Sequence, residues 1–296
     1  MSVDHDPGKS ITVRADPLSA PIARLDYASA PKPFLHPVTT PGGMVMTLSE
    51  PEDHLWHRGL WFTFKFVDGE NFWEERDPFG TQRVAGIPQV SHPDPSTSVI
   101  DLDLDWAAPG TAAPILTERR RLTVRVVGDA TQIDHDTTLH TTADVTLDRT
   151  PYTTWGGYGG VAFRATADWQ PTQRTVGDRV TDGFLLGETA PSCDVSGPIT
   201  AAALTDRSMG EELDDALIDR SAGIAILDHP ANPRHPTPWY TGSGAGNFLN
   251  AAPLFHEPMT LAAGETLALR YRVLVHDGLW GIEDVQRQFE RYAAGD

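Results

Sequence analysis

Three short segments of this 296-residue chain gather side chains suited to chemistry at neutral pH. Lys32–Pro37 (KPFLHP) sets His36 between prolines that restrict the backbone. Asp53–Gly59 (DHLWHRG) carries His54, Trp56, His57 and Arg58, and Asp228–Tyr240 (DHPANPRHPTPWY) presents His229, Arg234, His235 and Trp239 among four prolines. Such proline density lowers the entropy lost when a loop is ordered, so these segments suit the holding of polar groups. An imidazole titrates near neutral pH, which makes His54, His57 and His235 candidate general acids and bases, with Asp53 or Glu74 to orient them. The same His-x-x-His pair can ligate a divalent metal once a further ligand arrives from His36, His140, His229, His235 or His276, and His54, His57 and His235 form the metal set weighed here. The third alternative is that these rings only bond carbonyls and close loops. Acid–base chemistry without a cofactor is the expectation.

Trp56, Trp61, Trp73, Trp155 and Trp239 offer flat apolar faces on which the C–H surface of a sugar can lie, while polar side chains bond its hydroxyls. Most Trp in a β-sandwich are core residues, and Trp239, in its proline-rich loop, is the expected exception. Arg58 and Arg234 can bind a carboxylate or ring oxygen, or pair with the chain's own acids. His36, Arg58, Glu74, Arg234 and Trp239 are thus the candidate substrate-binding residues. Asp134 and Asp136 read as a solvated strand face, with Asp134 or His140 as minor candidates for a cleft. The glycines of WGGYGG (Gly156, Gly157, Gly159, Gly160) lack the Gly-Lys-Ser/Thr of a phosphate loop. No nucleophile elbow, dinucleotide fingerprint or His-Glu-x-x-His occurs, nor the His-x-His followed by Glu of a cupin-like oxygenase.

The elements that must position these residues are strands. Leu60, Phe62, Phe64 and Phe66 alternate with Trp61, Thr63 and Lys65, and Ile100, Leu102, Leu104 and Trp106 alternate with Asp101, Asp103 and Asp105. Period two with one apolar and one solvated face implies antiparallel sheet. Leu122–Val126 and Leu267–Val275 follow the same rule, and Ile11–Arg14, Ile133–Thr141, Val145–Leu147, Val161–Arg164 and Ile224–Leu227 are further strands. The 26 Gly and 24 Pro punctuate these runs. Ile282, Val285, Phe289 and Tyr292, spaced by three, four and three, predict a C-terminal helix packed on a sheet. An all-β fold, a large antiparallel β-sandwich with a short C-terminal helix, is expected over residues 1–296 as one domain, although residues 201–222 are acidic and ambiguous.

Composition limits the partners. With 41 acidic against 23 basic residues the formal charge is -18, which repels phosphate backbones and anionic bilayers, so neither nucleic acid nor membrane is an expected partner. No run of about 18 apolar residues can span a bilayer. The start, MSVDHDPGKSITV, has no basic and then apolar stretch, and Cys193 is the sole cysteine; a soluble, cytoplasmic protein without a disulfide is expected.

KPFLHP, DHLWHRGLWF, NFWEE (Asn71–Glu75), SCDVSGP (Ser192–Pro198), DHPANPRHPTPWY and LRYRVLVHDG (Leu269–Gly278) together resemble the bacterial PmoA-like family of unknown function, from about residue 20 to the C-terminus. The family's label suggests a methane oxygenase subunit, which is a multi-span membrane protein, so the label reads as a mislabel. The resemblance implies a supersandwich similar to galactose mutarotase and a place in sugar metabolism alongside oxidoreductases that make keto sugars. It brings no catalytic residue with it. Many relatives have His-Pro-His-His where this chain has His54-Leu55-Trp56-His57, which weakens the metal alternative. The expected function is therefore a carbohydrate-processing enzyme of sugar catabolism, acting on a sugar or keto-sugar by epimerisation or elimination. The alternatives are a non-catalytic carbohydrate-binding protein and a His-ligated metal enzyme. At least three of His36, His54, His57 and His235 are expected to meet in one hollow.

Overall fold

In a computed structural model of the chain, residues 1–15, 21–150, 157–167, 169–170, 172–199, 220–242 and 247–296 are described. Trp155, Gly156 and the acidic stretch 201–219 lie outside the described residues. Alternating sequences pair into two large antiparallel sheets and a small one. The nine-stranded sheet runs β1 (Ser2–Asp6), β2 (Ser10–Arg14), β3 (Ala23–Asp26), β4 (Phe34–Val38), β5 (Leu60–Phe64), β14 (Gly159–Arg164), β21 (Phe248–Ala251), β20 (Pro238–Thr241), β17 (Leu186–Thr189). The ten-stranded sheet runs β16 (Arg179–Thr181), β15 (Gln173–Val176), β18 (Ser192–Pro198), β19 (Ser221–Asp228), β23 (Thr266–Asp277), β12 (Ala130–His140), β11 (Pro114–Val127), β10 (Thr97–Ala107), β8 (Thr81–Val84), with β9 (Gln89–Asp94) also paired to β10. β22 (Met259–Leu261), β13 (Val145–Asp148), β6 (Phe66–Val67) and β7 (Glu70–Asn71) make the third sheet, and α1 (Ile282–Ala293) is the C-terminal helix.

Period-two alternation decides what each face meets. Leu60, Phe62 and Phe64 of β5 and Val161 and Phe163 of β14 point inward and share one core with Ile100, Leu102, Leu104 and Trp106 of β10. Phe62 reaches the opposite sheet at Trp106 and His135, with ring centroids 6.2 and 5.2 Å apart. The outward face of β10–β12 carries matched charges: Asp101 pairs with Arg121, and Asp134 with Arg125 and Arg272. Asp134 and Asp136 lie on this outward strand face, half-buried, and Asp134 lines an open cleft there with Arg121, Arg125 and Arg272.

α1 follows from its own pattern. Val285 and Tyr292 are buried, and with partly buried Phe289 they pack on Leu227, Leu274 and Trp280 at the outer face of the ten-stranded sheet. The Gly281 N–H donates to the Asp284 carboxylate at 3.0 Å, satisfying one of the free donors at the helix start. Glu283 and Asp284 in the first turn and Arg291 in the last complement the helix dipole.

The outer face of the nine-stranded sheet holds a separate cluster. Phe34, Trp61, Ala162, Tyr240 and Phe248, outward residues of β4, β5, β14, β20 and β21, pack with Trp73, and Trp56, Tyr158 and Phe255 lie partly exposed against them.

Candidate functional site

Two loops fold over this outer aromatic face. The first, residues 49–59, is held by Ser49 bridging Arg58 and by three backbone bonds: His54 N–H to Pro51 O, His57 N–H to His54 O, and Glu50 N–H to His57 O. The turn brings residues three apart to one side, so the rings of His54 and His57 stack with centroids 4.6 Å apart. Gly59 closes the loop at φ 75°, where a side chain would strain the backbone and place its Cβ 2.5 Å from Leu35 O. His57 lies parallel to Phe248 at 5.1 Å and tilted against Trp61 at 5.2 Å, while half-exposed Trp56 meets His54 edge-on at 5.2 Å. The second loop follows β7 and seats Trp73 between Trp61 at 5.5 Å and Tyr158, stacked at 5.1 Å.

Arg164, the outward residue at the end of β14, organises the polar part. Its guanidinium donates to both carboxylate oxygens of Asp53 at 2.8 Å and to Nδ1 of His57 at 3.3 Å. A guanidinium has only donors, so His57 Nδ1 must accept and its proton sits on Nε2. Burial, then the neighbouring His54 and Arg164, push the His57 imidazole down to about 2. His57 is a neutral ring at any working pH. Asp53 also accepts from Nδ1 of His54 at 2.8 Å. Burial works against an ionised Asp53, yet hydrogen bonds from Arg164 and His54 outweigh it and hold the carboxyl at about 2. His54, 44% exposed, is thereby left with Nε2 towards solvent and its proton on Nδ1.

A buried ionic brace supports the floor. Lys32 donates to Trp73 O at 2.9 Å and to Glu75 at 2.8 Å, and Arg58 binds Glu75 through Nε and Glu50 through Nη1. Burial lowers the Lys32 ammonium to about 8, against the pull of Glu75. Removing one partner of such a buried pair strands a charge, so the brace fixes Trp73. Glu74 pairs with Lys65 beside it. Arg76 lays its guanidinium 4.4 Å over the Trp56 ring.

The expected histidine cluster is only half assembled. His54 and His57 meet, but His36 bonds Thr47 Oγ1 at 2.9 Å on β4, and burial and then Arg24 lower its imidazole. His235 binds the buried Asp228 carboxylate at 2.7 Å and stacks on Phe289 of α1, with none of its contacts among the residues around His57. Trp239 corrects the expectation of a sugar platform. β20 alternates it inward, where it is 0% exposed and donates to Ala190 O, so it has no face for a ligand. Arg234 is likewise spent on the carbonyls of Pro253, Glu257 and Pro258, which it clamps, and Arg58 on its two carboxylates. Among the described residues no three His, Cys, Asp or Glu side chains are placed to hold a metal ion. His54, His57 and His235 do not assemble as a set, and Nδ1 of His57 faces a cation.

Arg164, Lys65, Tyr158 and Phe248 belong to the site although the three His-rich segments do not contain them. Their signal was alternation: with Val161 and Phe163 inward, Arg164 must point outward.

One family profile matches the chain, and several solved structures resemble it at low similarity. The profile of a family described as "Family of unknown function (DUF6807)" matches residues 11–290, and that description carries no methane oxygenase label. No helix among the described residues is long and apolar enough to cross a membrane. No curated protein matches the chain in sequence. Similar solved structures include the galactosidase domain of the alpha-galactosidase-sucrose kinase AgaSK, 12% identical with a TM-score of 0.47, covering 97% of this chain and 43% of that one. Another is the GH36 alpha-galactosidase AgaB from Geobacillus stearothermophilus, 10% identical with a TM-score of 0.46, covering 97% of this chain and 42% of that one. A third is the alpha-galactosidase from Lactobacillus brevis, 10% identical with a TM-score of 0.43, covering 95% and 40%. The chain thus spans about two fifths of the length of these proteins.

Proposed function

The chain belongs to DUF6807, a family of unknown function, and from that premise we propose that it is a carbohydrate-processing enzyme working on the outer face of the nine-stranded sheet. The observation that carries this is the Asp53–His54 pair, 2.8 Å apart, beside the partly exposed rings of Trp56 and Tyr158, which rest on the buried Trp61, Trp73 and Phe248. Aromatic faces suit the C–H side of a sugar ring, and a carboxylate-held imidazole suits proton transfer. His54 carries its proton on Nδ1, so Nε2 offers a lone pair to a ring C–H, and Asp53 stabilises the imidazolium that forms. Epimerisation needs a proton delivered to the opposite face of the carbon, where solvent water is the donor, and elimination passes the proton held by His54 to the leaving group. His57, neutral and bonded to Arg164, takes the part of a fixed hydrogen-bond donor in place of a base.

Incubation of the protein with a panel of sugars and oxidised sugars in D2O, read by NMR, tests the proposal. Solvent deuterium is expected at one ring carbon, and His54→Ala is expected to slow its entry about 100- to 10,000-fold, the usual worth of one acid–base group. Exchange that survives in a folded His54→Ala variant overturns the assignment. The low pKa of His57, which leaves His54 as the one accessible imidazole of the pair, favours one second reading, a non-catalytic sugar-binding protein. Binding without exchange is its signature.

A further inference from the structure

Around the His57 ring the described residues present hydrogen-bond donors for which they supply no acceptor. Trp61 is 2% exposed and its indole Nε1 has no partner; Arg164 is 4% exposed and its Nε has none either. His57 adds a third donor, because Arg164 occupies Nδ1 and forces the proton onto Nε2, which makes no bond to a described residue. Trp61 and His57 have ring centroids 5.2 Å apart, and Arg164 is one hydrogen bond from His57. Buried N–H groups are nearly always paired, and leaving them unpaired costs stability, so two such groups beside one ring point to an acceptor that arrives with a ligand. The nearby carboxylates do not fill the role: Asp53 is taken by Arg164 and His54, Glu74 by Lys65, and Glu75 by Arg58 and Lys32.

We infer that the sugar bound on this face is an oxidised one, presenting an acceptor-only oxygen, a carbonyl or carboxylate, to the N–H groups of His57 and Trp61. A hydroxyl brings its own proton, and the free lone pair of the site, on His54 Nε2, is assigned to the substrate C–H; a C=O oxygen brings lone pairs alone and needs no acceptor. The inference rests on the sugar site proposed above and adds a role to it. When His54 Nε2 removes a proton from the carbon next to a carbonyl, the C–H electron pair forms the C=C bond. The C=O π pair then moves onto oxygen, where a neutral imidazole N–H and an indole N–H stabilise it. No oxidant, reductant or further reactant enters this step.

The test is binding of three ligands with the same ring: a methyl hexopyranoside, the methyl glycoside with one ring hydroxyl oxidised to a ketone, and the methyl hexuronide. Tryptophan fluorescence or calorimetry gives each dissociation constant with the full chain. The ketone or the uronide is expected to bind at least about tenfold more tightly than the parent, and which of them does so tells a neutral acceptor from a charged one. Trp61→Phe keeps an aromatic ring but loses the pyrrole half of the indole with its N–H, so its effect is read as the ratio of oxidised to parent affinity in the folded variant, and it is expected to erase most of that preference. Parent and oxidised rings binding equally, or a preference that survives Trp61→Phe, overturns the inference and leaves the sugar site standing. Failure of all three ligands to bind overturns the sugar site itself.

Discussion

His57 shows how one residue's surroundings set its chemistry. In the unfolded chain its imidazole titrates near 6.5, and in the folded chain burial, His54 and Arg164 hold it at about 2 against the opposing field of Asp53. Between these values the unfolded chain binds the additional proton. The contribution is therefore full above the unfolded value and is lost as pH falls towards the folded one, by about 1.4 kcal/mol per pH unit. Lowering the pH from 7 to 5 is expected to cost the native protein about 2 kcal/mol more than it costs His57→Gln, as measured by urea denaturation. Equal losses would show that the ring is not kept neutral. The sequence made the His54 and His57 pair plain, since a turn brings residues three apart together. It could not show that the partner deciding their protonation, Arg164, comes from a strand 107 positions away.

At the scale of elements, three strands are joined by a buried polar contact. His276 of β23 donates through Nε2 to the Asp194 carboxylate of β18 at 2.8 Å and stacks on Trp280 at 3.7 Å, while Ser196 donates to the same carboxylate. Gly223 of β19 sits opposite both His276 and Ser196 in register, and a Cβ there would lie 2.4 Å from the imidazole and 2.6 Å from the Ser196 hydroxyl oxygen. None of these groups can move aside without breaking the network, because His276 and Asp194 are fully buried. Gly223→Ala is expected to destabilise the chain by about 1–3 kcal/mol, read as a lower denaturation midpoint. An unchanged midpoint would mean that the sheet yields there. The strands themselves were legible wherever one face is apolar and the other charged: the alternation over 100–106 lies within β10 and that over 267–275 within β23. Trp239 misled because its proline-rich surroundings suggested an exposed loop. Pro238–Thr241 is a strand in the sheet, and its alternation sends Trp239 into the core.

Over the whole molecule the question is which electrostatic effect governs stability in a chain with 41 acidic and 23 basic residues. Ion pairs of the described residues are close, Arg272–Asp134 at 2.6 Å and Arg119–Asp103 at 3.7 Å among them, and many tie neighbouring strands. At such separations added salt screens little, since the Debye length is about 10 Å at 0.1 M, and exposed pairs contribute only about 0–1 kcal/mol each. Repulsion among the surplus carboxylates acts over longer distances, where the same salt is effective, and a compact chain suffers it more than an expanded one. Repulsion should therefore dominate the salt response. Raising NaCl from about 10 to 150 mM at pH 7 is expected to raise the melting temperature by a few degrees, equivalent to about 1 kcal/mol for a chain of this size. Sodium chloride and sodium fluoride should act alike if screening is the cause. A melting temperature that falls with salt would show instead that the cross-strand pairs, Asp101–Arg121 and Asp134–Arg272 foremost, hold the ten-stranded sheet together more strongly than the net charge of -18 drives it apart.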